Sequence, residues 1–135
     1  MTEHERPAYQ SGGHCCPAMQ QLEEENGKPG MPDWTVECLS RLFSSLADPT
    51  RIRIIHALAD HQRLNVTELA EFTGLSVSAI SHQMRLLRDR YLVTSQREGR
   101  SVYYALNDQH LRTIFCTGVE HALEDCHLGL RRARS

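Results

Sequence analysis

The stretch NVTELAEFTGLSVSAISHQMRLLRDRYLVTSQREGRSVYYAL, residues 65–106, decides the fold. Its first four residues, Asn65-Val66-Thr67-Glu68, form a capping-box pattern: a side-chain acceptor opens a helix and a carboxylate three residues on answers it. Val66, Leu69 and Ala70 then give a short apolar face. Thr73-Gly74-Leu75 is a turn, with Gly74 suited to a left-handed helix end. Ser76 caps a second helix whose stripe is Val77, Ile80, Met84, Leu87 and Tyr91, at steps of three and four. After Tyr91 the period changes to two. Leu92–Gln96 and Ser101–Leu106 predict strands, with Val102, Tyr104 and Leu106 on one face and Arg97-Glu98-Gly99-Arg100 as the connection.

Two helices around a glycine turn, followed by a two-stranded hairpin, predict a winged helix-turn-helix: a mainly α fold with a small β-hairpin. Once its stripe is buried, the second helix presents Ser78, Ser81, His82 and Arg85 outward. Short hydrogen-bonding side chains plus one guanidinium suit base edges and phosphates in a major groove. Arg97 and Arg100 would lie along the phosphate backbone or the minor groove. The same pattern also suits a plain helical hairpin with a solvated surface ribbon, so charge distribution matters. Net charge is only −2, but residues 1–40 hold seven acids against Arg6 and Lys28. Residues 76–104 hold Arg85, Arg88, Arg90, Arg97 and Arg100 against Asp89 and Glu98. The basic surface is local and made of arginine, which forks onto phosphates and guanine edges.

Outward from this stretch, Asp48-Pro49 pairs a cap with a proline at the first helical position, and Ile52, Ile55, Leu58 and Ala59 carry the helix that follows. Leu39, Leu42, Phe43 and Leu46 mark a helix beginning near Asp33. Residues 1–32 lack an apolar period and read as a flexible arm. Residues 33–127 form the DNA-binding and dimerisation domain, and residues 128–135 a tail. The 135 residues allow one core, and no stretch approaches a membrane span or a secretory signal, so the expected setting is cytoplasmic.

Asn107 caps a long last helix carrying Leu111, Ile114, Phe115, Val119, Ala122 and Leu123. Asp108 and His110 stand near its start, His121 and Glu124 near its end. An ordinary reading exists: Asp108 favours the helix dipole, and His121 with Glu124 is a solvated pair one turn apart. The alternative is a metal site. Asp108 and His121 lie thirteen residues, hence about 20 Å, apart along one helix, which cannot gather all four around an ion. Two antiparallel copies can, with the two-fold axis near Phe115, Cys116 and Val119 and two symmetric sites per dimer. Two imidazoles and two carboxylates suit tetrahedral zinc, with cobalt as a substitute. The absence of thiolate disfavours copper(I) and arsenic, and nickel asks for more ligands.

Quoted together, Leu46-Ala47-Asp48-Pro49-Thr50-Arg51, Val66 to Ala70, Ser78-Ala79-Ile80-Ser81-His82-Gln83 and Gly99-Arg100-Ser101-Val102-Tyr103-Tyr104 resemble the ArsR–SmtB family of metal-responsive bacterial repressors, over roughly Val36 to Cys126. The resemblance is to its zinc-sensing branch, in which Asp-x-His near the start of the last helix pairs across the dimer with His-x-x-Glu or His-x-x-His near its end; Asp108, His110, His121 and Glu124 match. It implies a homodimer, through the N- and C-terminal helices, that binds inverted-repeat operator DNA without metal and leaves it on binding zinc. It also places Ser78, Ser81 and His82 at the DNA and the hairpin as the wing.

One departure concerns thiols. Many relatives hold a second, cysteine-rich site with a cysteine where this chain has Asn65, and Asn65 and Glu68 already serve as a capping box. The five cysteines are odd in number and fit no disulfide framework. His14, Cys15 and Cys16 offer a second metal site, which Cys38 could complete, while Cys116, Cys126 and His127 read as packing or surface groups. The rival function is therefore a sensor of arsenic, cadmium or oxidants through Cys15 and Cys16 on the same scaffold. An enzyme is not expected: H-E-x-x-H is absent, no nucleophile triad is legible, and four protein ligands leave zinc no place for catalytic water.

Overall fold

The computed structural model describes residues 16–27 and 30–126. The chain divides into two compact units, residues 1–43 and 44–135. The first contains α1 (Pro17–Asn26) and most of α2 (Asp33–Leu46). The second contains α3 (Pro49–Asp60), β1 (Leu64–Asn65), α4 (Val66–Thr73), α5 (Val77–Asp89), β2 (Val93–Glu98), β3 (Ser101–Leu106) and α6 (Gln109–His121), which runs on into one π-helical turn, Ala122–Cys126. Among the described residues no helix is long and apolar enough to cross a membrane.

α1 falls inside the stretch read as a flexible arm without an apolar period. That reading relied on apolar periodicity, whereas α1 is built on propensity. Pro17 starts it, Ala, Met, Gln, Leu and Glu fill it, and the Gln21 amide donates to Glu25 one turn on at 3.1 Å.

The second unit is a winged helix-turn-helix. Ile54, Ile55 and Leu58 of α3, Leu69 of α4, and Ile80, Met84 and Leu87 of α5 are wholly buried. Leu64, Val93 and Leu106 close this core from the sheet, and Leu111 from α6. Each such side chain contributes about 1.5–3 kcal/mol by leaving water. The caps of α3, α4 and α5 are those the sequence predicts. Asp48 Oδ1 accepts from the Arg51 N–H at 3.0 Å, and Ser76 Oγ from Ala79 at 3.1 Å. The capping box closes in both directions, with Glu68 N–H to Asn65 Oδ1 at 2.8 Å and Asn65 N–H to Glu68 Oε1 at 3.1 Å. Gly74 ends α4 at φ +72°, as a left-handed cap requires.

Five details differ from expectation. The α5 stripe stops at Leu87. Val77 is exposed at the first turn, and Tyr91 lies beyond the helix at φ +59° and 82% exposed. Tyr91 takes the place glycine usually fills in a Schellman ending: its N–H donates to the Arg88 carbonyl, and Leu92 N–H to that of Leu87, both at 3.0 Å. Second, the hairpin is tighter than a four-residue connection. Glu98 pairs with Ser101, so only Gly99-Arg100 turns, with Gly99 at φ +60° as the first position of a II′ turn requires. Third, β1 adds a third strand, giving the antiparallel order β1-β3-β2 with Leu64 opposite Tyr104 and Asn65 opposite Tyr103. Fourth, α3 buries Ile54 and leaves Ile52 exposed. Fifth, Asp108 rather than Asn107 caps α6, its Oδ1 accepting from the Leu111 N–H at 2.9 Å.

Candidate functional site

The outward face of α5 follows from what its core face fixes. With Ile80, Met84 and Leu87 buried, Ser78, His82 and Arg85 are exposed at steps of four and three, and Ser81 beside them is half-buried. The helix is held in its middle and at its end. Arg51 Nε of α3 donates to Gln83 Oε1 at 3.2 Å, and Arg51 Nη1 to the Ser45 carbonyl at 3.4 Å. Arg90 Nη1 donates to the buried Ser45 hydroxyl at 2.8 Å. Arg90 thus ties the end of α5 to the scaffold while remaining exposed. The remaining groups are donors and acceptors on a rigid, capped helix, an arrangement suited to a groove of double-stranded DNA.

The hairpin supplies the second part. Arg97 and Arg100 are exposed at and beside its two-residue turn. Glu98, the one acid in the hairpin, is taken by Arg63, which precedes β1: Nη2 donates to Oε2 at 2.9 Å and Nη1 to Oε1. The Arg63 guanidinium also lies 4.3 Å from the centroid of the Tyr103 ring. The hydrogen bond and charge of Arg63 lower the Glu98 pKa below the usual carboxylate value, and the same hydrogen bond raises that of Arg63. Sequence reading passed over Arg63 because its partner lies 35 residues away. The available signal was a lone acid in an arginine-rich turn.

The four candidate metal ligands lie at the two ends of α6. Asp108 caps its start and shares that turn with His110, whose Nδ1 is 4.0 Å from Asp108 Oδ1 and whose side chain is 95% exposed. His121 ends the helix, and Glu124 is exposed on the π-helical turn. Among the described residues no three His, Cys, Asp or Glu side chains gather to hold an ion. Within one chain the set is therefore two half-sets, each an imidazole and a carboxylate. The donor chemistry of the two halves combined fits zinc, and Asp108 keeps Oδ2 while Oδ1 serves as cap.

Of the residues expected near the two-fold axis, Phe115 is half-buried with its ring stacked on His56 of α3 at 6.3 Å between centroids, while Cys116 and Val119 are exposed. His56 is itself paired with Asp60 at 3.1 Å, and Arg112 donates to the Ala59 carbonyl, tying α6 to α3 along the same side. At steps of four, three and four, His110, Ile114, Thr117 and His121 share one exposed face of α6. Of the second candidate metal site, His14 and Cys15 lie outside the described residues; Cys16 is exposed just before α1, and Cys38 is exposed on α2.

Residues 48–95 match the family model for bacterial regulatory proteins of the arsR family. The chain is 44% identical over 86 residues to a transcriptional repressor SmtB homolog of Synechocystis, a match covering 64% of each protein. It is 43% identical over 88 residues to the regulator NmtR of Mycobacterium tuberculosis, covering 65% of this chain and 72% of that one. Among solved structures, the homodimeric winged helix-turn-helix DNA-binding domain of a possible ArsR-family regulator from Mycobacterium bovis superposes with a TM-score of 0.63 at 25% identity. That superposition covers 71% of this chain and 91% of the other.

Proposed function

This chain belongs to the arsR family of bacterial regulatory proteins, a family of DNA-binding regulators rather than enzymes, and on that premise we propose that it is a zinc-responsive repressor. Its homodimer binds an inverted-repeat operator without metal and releases it when zinc binds between the last helices. Ser78, Ser81, His82 and Arg85 meet the major groove, and Arg97 and Arg100 the adjoining backbone. Asp108 and His110 of one subunit, with His121 and Glu124 of the other, would hold the ion.

The observation that carries this reading is the division of α6 into two exposed half-sets, chemically complementary and too far apart to close on one ion. An antiparallel second copy along the exposed face of His110, Ile114, Thr117 and His121 brings opposite ends together twice. The exposed apolar side chains Trp34, Val36 and Phe43 of α2, and Ile114, Val119 and Leu123 of α6 and its extension, support self-association through these helices. When bound, zinc would act as a structural cross-link rather than a reagent. The second ring nitrogen of each liganding imidazole would fix the orientation of that ring through its own hydrogen bond.

Complementation tests it. Asp108→Ala/His110→Ala and His121→Ala/Glu124→Ala should each lose zinc binding as homodimers. Refolded as a mixture, they form heterodimers with one site bearing four native ligands and one bearing none. Zinc titrated against a chromophoric chelator should reappear only in the mixture. Zinc retained by either double variant alone would place sensing elsewhere, and release of operator by arsenite or cadmium from those variants would favour the arm thiols. Coupling is reciprocal, so operator DNA must weaken zinc binding by the factor by which zinc weakens operator binding.

A further inference from the structure

The hairpin carries two cations and one carboxylate within four residues, Arg97, Glu98 and Arg100. An unanswered carboxylate there would oppose any approach to phosphates, because charges within a Debye length of about 10 Å are felt at moderate salt. The structure answers it from outside the hairpin. Side chains alternate along a strand, so Arg97 and Glu98 point to opposite faces of β2. Glu98 is paired with Ser101, and two residues along β3 on the same face stands Tyr103, which is itself paired with Asn65 of β1. Arg63, two residues before Asn65, shares that face. Its guanidinium therefore sits over the Tyr103 ring and reaches along the sheet to Glu98, engaging both carboxylate oxygens.

An exposed pair of this kind adds little to stability. Its importance here lies in direction and charge. A planar guanidinium held by a ring on one side and two oxygens at its edge has a single orientation, and lysine could not reproduce it. We propose that Arg63 is a positioning residue of the wing: by clamping Glu98 against the outer face of the sheet, it leaves Arg97 and Arg100 as an uncompensated cationic tip for the DNA backbone. This rests on the DNA-binding reading above. Arg63 acts through Glu98 and does not itself reach the nucleic acid. With Arg63 in place the four side chains sum to two positive charges, and without it to one.

The test uses the full-length, metal-free dimer and a mixed-sequence DNA duplex of about three helical turns, with affinity measured across a salt series. Arg63→Gln should weaken binding about five- to tenfold near 0.1 M salt and make the log–log salt dependence shallower by about one phosphate equivalent. Arg63→Gln/Glu98→Gln should return both affinity and slope to within about twofold of the parent. Glu98→Gln alone should bind at least as tightly as the parent. Thermal unfolding of each variant checks that the fold survives, and a purely structural role would not move the salt slope. If the double variant stays as weak as Arg63→Gln, Arg63 touches phosphate directly and the proposal fails. It fails equally if Arg63→Gln binds as the parent does, or if Glu98→Gln weakens binding. A parent dimer without salt-dependent DNA binding would instead overturn the DNA-binding reading, and this inference with it.

Discussion

The turn between α4 and α5 and the length of α6 show two ways of building a site. Around the turn, every device closes within one chain. Asn65 and Glu68 cap each other, Gly74 supplies the left-handed residue, Ser76 starts α5, and Ile80, Met84 and Leu87 seat it on a buried core. Along α6 only Leu111 is buried, while Ile114, Val119 and Leu123 face outward and the candidate ligands stand at opposite ends. The first region is complete as a monomer. The second has good local structure, a cap and a tether to α3, but an unfinished surface. The first should therefore respond to mutation through folding free energy, the second through association and metal.

Leu87→Ala should give the largest effect. It removes a wholly buried side chain where α5 meets the core, at an expected cost of about 2–5 kcal/mol, a large share of the roughly 5–15 kcal/mol that holds a small domain folded. Urea unfolding at several protein concentrations would measure it, and the loss should not depend on concentration. A concentration-dependent loss would mean that the helix-turn-helix needs the dimer for its own stability, and the contrast between the regions would collapse.

Ile114→Asp probes the other region and should be milder for folding. The side chain is already 37% exposed, so the folded monomer has little to lose, whereas a carboxylate in a helix–helix seam must be desolvated. Dimer dissociation followed by sedimentation should weaken at least about tenfold, or about 1.4 kcal/mol, and zinc binding should fall with it. Unchanged dimerisation would show that the face of His110, Ile114, Thr117 and His121 is not the seam. The ligand halves would then need another way to meet.

The legible parts of the molecule were those encoded locally. Caps announce themselves within three or four residues, which is why Asp48, Asn65, Gly74 and Ser76 could be read directly. Whatever depends on distant residues or on helical angle was not legible. β1 is two residues long and has no period to detect, the Arg63–Glu98 clamp spans 35 residues, and the buried Ser45 is hydrogen-bonded by Arg51 and by Arg90, which is 45 residues away. Which face of α6 carries the candidate ligands depends on helical angle as well as on spacing. Phe115 and Cys116 lie at the midpoint in sequence, but at about 100° per residue the arc joining His110 to His121 passes through Ile114 and Thr117. The positions of Asp108, His110, His121 and Glu124 along the last helix were legible in the sequence, whereas the packing of Phe115 beside His56 was not.

Asn65→Ala should give the smallest effect and the cleanest separation of the two regions. Removing the amide leaves the Glu68 N–H without its 2.8 Å acceptor at the start of α4 and breaks the reciprocal box, at a cost of about 1 kcal/mol. For a domain of this size that lowers the thermal midpoint by a few degrees, about 4–8 °C per kcal/mol at most. Asn65→Asp keeps an oxygen acceptor at the cap and should recover most of the loss. Because nothing in the capping box reaches α6, zinc stoichiometry and dimer dissociation should be unchanged in both variants when measured well below the midpoint. A shift in zinc affinity greater than the change in folding would mean that the start of α4 senses the metal after all. Asn65 would then be part of the switch rather than only of the scaffold.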